Sequence, residues 1–182
     1  MKSLYLLCGL AFSGKSTLAA ALSSHLGAAV VSLDQINAAR GLDGGAGIPP
    51  EEWGRTHQQA LVEVEQALRS DLSAIVDDTN CFRFLRDNYR SVARRCGVET
   101  TVIYLDVPVS VALARLRSNE ETGARSGMTE PVFVDLVEKF EPPAADERVL
   151  VLPSEAAPET WVKVVDAVLK PMALRAHGQG LR

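Results

Sequence analysis

The sequence predicts an α/β protein: a five-stranded parallel sheet with helices on both faces, a three-layer α/β/α sandwich. Five short apolar runs alternate with stretches of helical periodicity. Such runs, without polar alternation, are what strands buried on both faces look like. Strands that take turns with helices pair in parallel, because each return to the sheet needs a long crossover. Size gives the third indication. The chain has 182 residues, 47% hydrophobic and 23% charged, which is enough for one full core and tight for two. Only 5% are aromatic, so Ala, Val and Leu must build that core.

The elements follow in order. Ser3–Cys8 is the first apolar run, and Lys15–Leu26 places Leu18, Leu22 and Leu26 at helical spacing. Ala28–Leu33 is the second strand. Residues 41–47 hold four glycines in seven, which marks a loop. Pro49 and Pro50 lead into a helix from Glu51 to Ser70, and Ala74–Asp77 is the third strand. A helix from Phe82 to Cys96 and a β-branched strand over Thr100–Asp106 come next. Pro108 suits the first turn of a helix over Val109–Arg117. Residues 118–130 are polar with two glycines and are expected to form a lid. Pro131 opens a helix with Phe133, Leu136, Val137 and Phe140 on one face. Arg148–Leu152 is the fifth strand, and Trp161, Val164, Val165, Val168 and Leu169 stripe a last helix. Residues 1–171 are expected to form one domain and 172–182 a frayed tail.

Nineteen basic and 23 acidic residues leave a net charge of −4. This disfavours a chain-wide surface for nucleic acid or anionic membrane. Cys8, Cys81 and Cys96 are an odd count without metal-ligand spacing, which suits a reducing compartment. The apolar run Leu4–Leu10 is too short to span a bilayer and lacks the layout of an export signal. A soluble cytoplasmic protein is the expectation.

Gly9-Leu10-Ala11-Phe12-Ser13-Gly14-Lys15-Ser16 matches the phosphate-loop pattern G-x-x-x-x-G-K-[ST] at every fixed position, with Thr17 next. The glycines let successive N–H groups turn inward around a phosphate, and the helix N-terminus adds positive potential. Lys15 is placed to reach the β- and γ-phosphates and Ser16 to give its hydroxyl to Mg²⁺. A chance glycine turn would match in fewer than about one chain in a hundred of this length. The setting between strand and helix lowers that further. Gly9–Thr17 are therefore the expected nucleotide contacts.

Ligands of open parallel sheets sit beyond the carboxyl ends of the strands. Strand two ends in Asp34 and strand three in Asp77-Asp78-Thr79-Asn80. Asp34 is expected on the substrate side as the base that takes a proton from an attacking hydroxyl, although a helix N-cap would also place an aspartate there. Whichever of Asp77 and Asp78 faces the site would hold Mg²⁺ through water; turn residues are the plain alternative. Asn80 is expected to contact the substrate.

Arg83, Arg86, Arg90 and Arg94 share a helix face. They could line a groove for an anionic substrate, yet charge runs are usually solvated faces. Arg86 lies nearest the Asp-Thr-Asn end and is assigned to the substrate. Arg115 and Arg117 end the helix before the lid and Arg125 lies within it. Planar guanidinium groups suit the charge of a transferring phosphoryl group. A helix C-terminus also attracts cations without any catalytic purpose.

Together, the phosphate loop, Val31-Ser-Leu-Asp34, Asp77-Asp-Thr-Asn80, Tyr104-Leu-Asp-Val-Pro108 and Arg115 resemble the small P-loop kinases. That group holds the kinase domain of polynucleotide 5′-hydroxyl kinase, chloramphenicol phosphotransferase and zeta-type toxins. The resemblance spans roughly residues 3–152 and implies a P-loop NTPase fold. It also implies that Asp34 activates the acceptor hydroxyl, that Lys15 and Ser16 act as argued above, and that lid arginines clamp the phosphates, catalytically for Arg115 and Arg125 and in nucleotide binding for Arg117. The lid departs from the basic lid of the polynucleotide kinases, since Glu120, Glu121 and Glu130 stand beside Arg125. The Phe140-Glu-Pro-Pro143 block looks like a recurring one in the group.

The resulting expectation is an ATP- and Mg²⁺-dependent kinase acting on a hydroxyl of a small molecule such as an antibiotic, sugar or nucleoside. A polynucleotide or tRNA kinase is the alternative within enzymes, and a nucleotide-hydrolysing switch the alternative outside them. The lack of an Asn-Lys-x-Asp segment makes ATP the default over GTP.

Overall fold

The computed structural model describes residues 2–42, 47–123, 128–153, 157 and 159–167. Five strands form one sheet: β1 (Ser3–Cys8), β2 (Ala29–Ser32), β3 (Ala74–Asp77), β4 (Glu99–Asp106) and β5 (Val149–Pro153). Their order is β2-β3-β1-β4-β5 and every pairing is parallel. The chain fills the sheet on one side of β1 and then on the other, so the order reverses at β1. A crevice opens beyond its carboxyl end, at the switch point where such sheets bind ligands.

The period-two alternation of β1 sorts the core into two halves. Tyr5 and Leu7 point to one face with Leu18, Leu22, Ile103, Leu105, Leu116, Phe133, Trp161 and Val165. That face is covered by α1 (Lys15–Leu26), α5 (Val109–Thr122), α6 (Glu130–Lys139) and α7, a helix over 159–167. Leu4, Leu6 and Cys8 point to the other face with Val31, Ile36, Ala60, Val64, Leu68, Val76, Tyr89, Val92 and Val102. There lie α2 (Leu33–Ala39), α3 (Pro50–Arg69) and α4 (Arg83–Arg95). This is the three-layer α/β/α sandwich of P-loop NTPases.

Most elements fall within a residue or two of expectation. Two differ. The second strand stops at Ser32, whose hydroxyl accepts from the Gln35 N–H and starts the seven-residue α2. The helix expected to end at Arg117 runs to Thr122 and closes on Gly123 in the left-handed conformation, so the first five residues of the expected lid are helical. Residues 43–46 of the glycine loop, Arg125 and Gly127 of the lid, and Val168, Leu169 and the tail lie outside the described residues.

The arginine stripe of α4 is an internal clamp. Arg86 is fully buried. Its Nε and Nη2 donate to the Glu147 carboxylate at 2.7 and 2.9 Å, and its Nη1 donates to the carbonyls of Asn80 and Glu141 at 2.8 and 2.9 Å. Arg83 pairs with Asp146 and Arg90 with Asp87. Arg86 is therefore spent on the segment joining α6 to β5, not on the substrate, because its donors are taken up inside the fold. The Phe140-Glu-Pro-Pro143 block gains a physical role from the same contacts. The Glu141 carboxylate accepts from the Arg83 N–H at the start of α4, the Glu141 N–H donates to the Cys81 carbonyl, and Phe140 stacks on Tyr104.

Removing one partner of a buried ion pair strands the other. Arg86→Leu is expected to cost about 3–5 kcal/mol in a denaturant titration, and Arg86→Leu with Glu147→Leu distinctly less. Equal losses in the single and double variants would contradict this account.

Candidate active site

The phosphate loop lies at the switch point, held between β1 and α1. Two glycines shape it. Gly9 has φ +147°, and a Cβ there would stand 2.8 Å from the Leu105 carbonyl oxygen. Gly14 has φ +101°, and a Cβ would meet the Trp161 ring at 3.2 Å. Neither position suits an L side chain. The Gly9 N–H donates to the Thr79 carbonyl at 3.1 Å, which ties the loop to the segment after β3. Ser13 is buried, and the Ser13 N–H closes a turn onto the Leu10 carbonyl. Ala11 and Phe12 are half-buried and Thr17 exposed.

Lys15 is 7% exposed. Its Nζ donates to the carbonyls of Gly9 and Leu10 at 3.1 and 2.6 Å and to Ser13 Oγ at 3.3 Å. The ammonium is thus folded back over the loop, on neutral carbonyl and hydroxyl oxygens.

Asp77 and Asp78, inseparable by sequence, have different neighbours in the structure. The Ser16 hydroxyl hydrogen-bonds the Asp77 carboxylate. Burial pushes the Asp77 carboxyl above its usual range; Ser16 and the Lys15 charge pull it back, while Asp34 and Asp78 add to the rise. A cation between Ser16 and Asp77 would relieve that strain on the charged form. A hydroxyl and one carboxylate are a sparse set, which suits Mg²⁺ because it keeps several waters. Asp78 lies just past the end of β3: its charge bears on His57, Tyr89 and Cys81 as well as on Asp77, and its Oδ2 accepts from the Asn80 N–H. Of the two, Asp77 is the carboxylate paired with Ser16.

Asp34 sits in the first turn of α2 and is exposed. It is not the N-cap, since Ser32 fills that place. Ser32 is in register with Asp77 across β2 and β3, and the Asp34 charge reaches Asp77. The two carboxylates therefore belong to one cluster beside the phosphate loop. Asn80 is fully buried in a left-handed conformation, φ 46°. Its Nδ2 donates to the Leu7 carbonyl at 2.7 Å, so this side chain fastens β1 to the β3 segment instead of meeting a substrate directly.

Of the expected clamp arginines, Arg115 reaches the loop: its Nη1 donates to the Phe12 carbonyl at 3.1 Å. Arg117 points elsewhere and forms a bidentate pair with Glu130 of α6 at 2.8 and 3.0 Å, because α5 and α6 lie side by side. Burial pushes the thiols of Cys8 and Cys81 up to about 12 and about 11, so neither is a ready nucleophile. Sequence reasoning missed Asn37, His57 and Tyr89. No motif marks them; the packing of α2, α3 and α4 sets Asn37 against Thr56, and His57 and Tyr89 within reach of the Asp78 charge. No described helix is long and apolar enough to cross a membrane.

Comparison with known proteins bears on family and fold. The model of the AAA domain family matches residues 4–143. An L-seryl-tRNA(Sec) kinase of Methanococcus maripaludis is 30% identical over 148 residues, 77% of this chain and 53% of its own. The chain thus spans about half the length of that curated relative. Among solved structures, a gluconokinase from Sinorhizobium meliloti 1021 superposes with a TM-score of 0.69 at 19% identity, covering 99% of this chain and 98% of the other. The APS kinase of Mycobacterium tuberculosis, solved with AMPPNP and APS, gives 0.71 at 16% identity, covering 93% and 98%. At those identities the likeness is one of fold.

Proposed function

The chain belongs to the AAA domain family, and we propose that it is an ATP-dependent kinase that moves the γ-phosphoryl group to a hydroxyl of a small organic acceptor. The observation that carries this is the cluster at the end of β1, β2 and β3. The phosphate loop, the Ser16–Asp77 pair and the Asp34 carboxylate meet where the strand order reverses. ATP would lie along Gly9–Thr17. Ser16 and Asp77 would hold Mg²⁺, which when bound neutralises charge on the phosphates. Asp34 accepts the acceptor's proton as its oxygen bonds the phosphorus and the bond to ADP breaks. Lys15 leaves the loop carbonyls for the phosphate oxygens. The exposed Asp34 side is open to a second substrate, which favours transfer over a slow hydrolytic switch.

A tRNA acceptor is the second reading, and the seryl-tRNA kinase relative favours it. Against it stands the α4 stripe, whose Arg83, Arg86 and Arg90 are all paired with carboxylates. ADP release over antibiotics, sugars, nucleosides, 5′-hydroxyl oligonucleotides and seryl-tRNA tests both. Release that rises with a small acceptor supports the first reading and release with RNA alone the second. Turnover indifferent to every acceptor would leave a switch.

Arg115 already touches the loop, so Arg115→Ala is expected to weaken ATP binding by roughly 10–100-fold, the worth of a hydrogen bond to a charged group. Arg117→Ala should change it little, because its Glu130 pair is exposed. Calorimetry with ATP distinguishes the two, and equal effects would remove Arg115 from the site.

A further inference from the structure

Among the described residues, four buried side-chain polar atoms have no hydrogen-bond partner: Asn37 Nδ2, His57 Nδ1, Asn80 Oδ1 and Tyr89 OH. All belong to α2, α3, α4 or the segment after β3, and none to the β4–β5 side. Buried polar groups are ordinarily satisfied, so a local group of orphans asks for a missing partner.

Three of them share a neighbourhood. Asn37 and Tyr89 are 2% and 1% exposed. The Thr56 hydroxyl donates to Asn37 Oδ1, which leaves the Asn37 amide NH₂ as the unspent end. His57 follows Thr56 on α3, and the Trp53 ring lies 6.2 Å from its imidazole. The Asp78 carboxylate is close enough to His57 and to Tyr89 for its charge to bear on each. Asn37 stands one helical turn from Asp34 on α2 and so shares its face.

We propose that Asn37, His57, Asp78 and Tyr89 form the acceptor subsite, and that it takes a hydroxyl-rich compound without negative charge. The proposal rests on the phosphotransferase reading above and names the substrate class of that site. The donor and acceptor balance supports it. Asn37 and Tyr89 offer N–H and O–H, while Asp78 and a neutral His57 nitrogen accept. Hydroxyl groups meet both needs, since each gives one hydrogen and takes another. Charge supports it as well. Asp34, Asp77 and Asp78 line this side, while Arg40 is engaged by Glu52 and Arg86 by Glu147. A carboxylate or phosphate ester would enter against three like charges, while Lys15, whose charge bears on Asp77, is held by the loop carbonyls.

The test is calorimetric titration with glucose, glucosamine, ribose, uridine and chloramphenicol, and with gluconate and ribose 5-phosphate as anionic counterparts. The ¹⁵N signal of the His57 imidazole is followed in parallel. Each titration is run with and without AMPPNP and Mg²⁺. At least one neutral or ammonium probe is expected to bind and to move the His57 signal, and the anions at least tenfold more weakly. Tyr89→Phe, which keeps the ring and loses only the hydroxyl, should weaken that probe about tenfold, the worth of one hydrogen bond. It should leave AMPPNP affinity unchanged, which also shows that the variant is folded. Anions binding as well as their neutral partners would overturn the proposal, as would wild-type probe affinity in Tyr89→Phe. If no probe moves the His57 signal, the orphaned atoms are met by buried water and the subsite does not exist. Failure of AMPPNP to bind the wild type would instead sink the phosphotransferase reading, and the nucleotide-free titrations would still decide the subsite.

Discussion

Asp34→Asn is expected to slow phosphoryl transfer by roughly 10²–10⁴ while ATP still binds, the range set by loss of a general base. The substitution is nearly isosteric and keeps a short polar side chain in the first turn of α2. The helix itself is capped by Ser32, so the scaffold does not depend on the carboxylate. What changes is the ability to take a proton beside the Ser16–Asp77 pair. The amide has no basic oxygen to do so, and the attacking hydroxyl must then lose its proton to water. ATP affinity by calorimetry should stay close to wild type, or rise a little, because one of the carboxylate charges near the phosphates is gone. Transfer is read as acceptor-dependent ADP release. Transfer at the wild-type rate would reduce Asp34 to a favourable charge at a helix N-terminus.

The fold was legible because its signals are local. Apolar runs of four to eight residues and the phosphate-loop spacing sit in contiguous sequence, and strand alternation follows from them. The two missed boundaries have local causes too. Ser32 caps a helix too short to show a stripe, and Gly123 supplies the left-handed stop that Arg117 does not. The candidate site was legible only as far as a motif or a strand end marks its residues, as at Lys15, Ser16 and Asp34. It was not legible where side-chain direction decides. Asp77 ends β3 and pairs with Ser16, whereas Asp78 lies just past the strand, where its charge bears on His57. Arg86 looked like a substrate ligand because it lies near Asn80 in sequence. Its partner Glu147 is 61 residues away, and nothing local announces that pairing. Arg117 was misplaced for the same reason, since Glu130 belongs to the next helix.

The contacts also explain how one end of the molecule is kept rigid. The Asn80 side chain holds the Leu7 carbonyl, the Thr79 carbonyl holds the Gly9 N–H, and Arg86 holds the Asn80 carbonyl. The phosphate loop is therefore fastened to the β3 segment by hydrogen bonds made before any ligand arrives. The second fastening is apolar: Trp161 of α7 lies against Gly14. A loop held from both sides has little freedom to rearrange, and such preorganisation favours anion binding.

On that loop stands Lys15, and Lys15→Ala is expected to lower turnover by about 10² or more. The ammonium is buried and donates to two loop carbonyls and Ser13 Oγ. On the proposed reading, nucleotide binding would exchange those neutral acceptors for charged phosphate oxygens, a stronger class of hydrogen bond. The gain is greatest when negative charge builds on the oxygens during transfer, so the loss should fall on turnover more than on ATP affinity. Lys15→Met separates charge from packing: it keeps the buried stem, and its turnover should be as low as that of Lys15→Ala. Lys15→Arg should not rescue, because a planar fork does not fit a pocket built for a compact ammonium. The fold should survive in all three, since the loop is fastened independently through Thr79, Asn80 and Trp161; far-ultraviolet dichroism and a thermal melt check this. Turnover and ATP affinity are then measured by ADP release and calorimetry. A Lys15→Ala protein that is folded, binds ATP normally and turns over at the wild-type rate would remove this loop from the chemistry altogether.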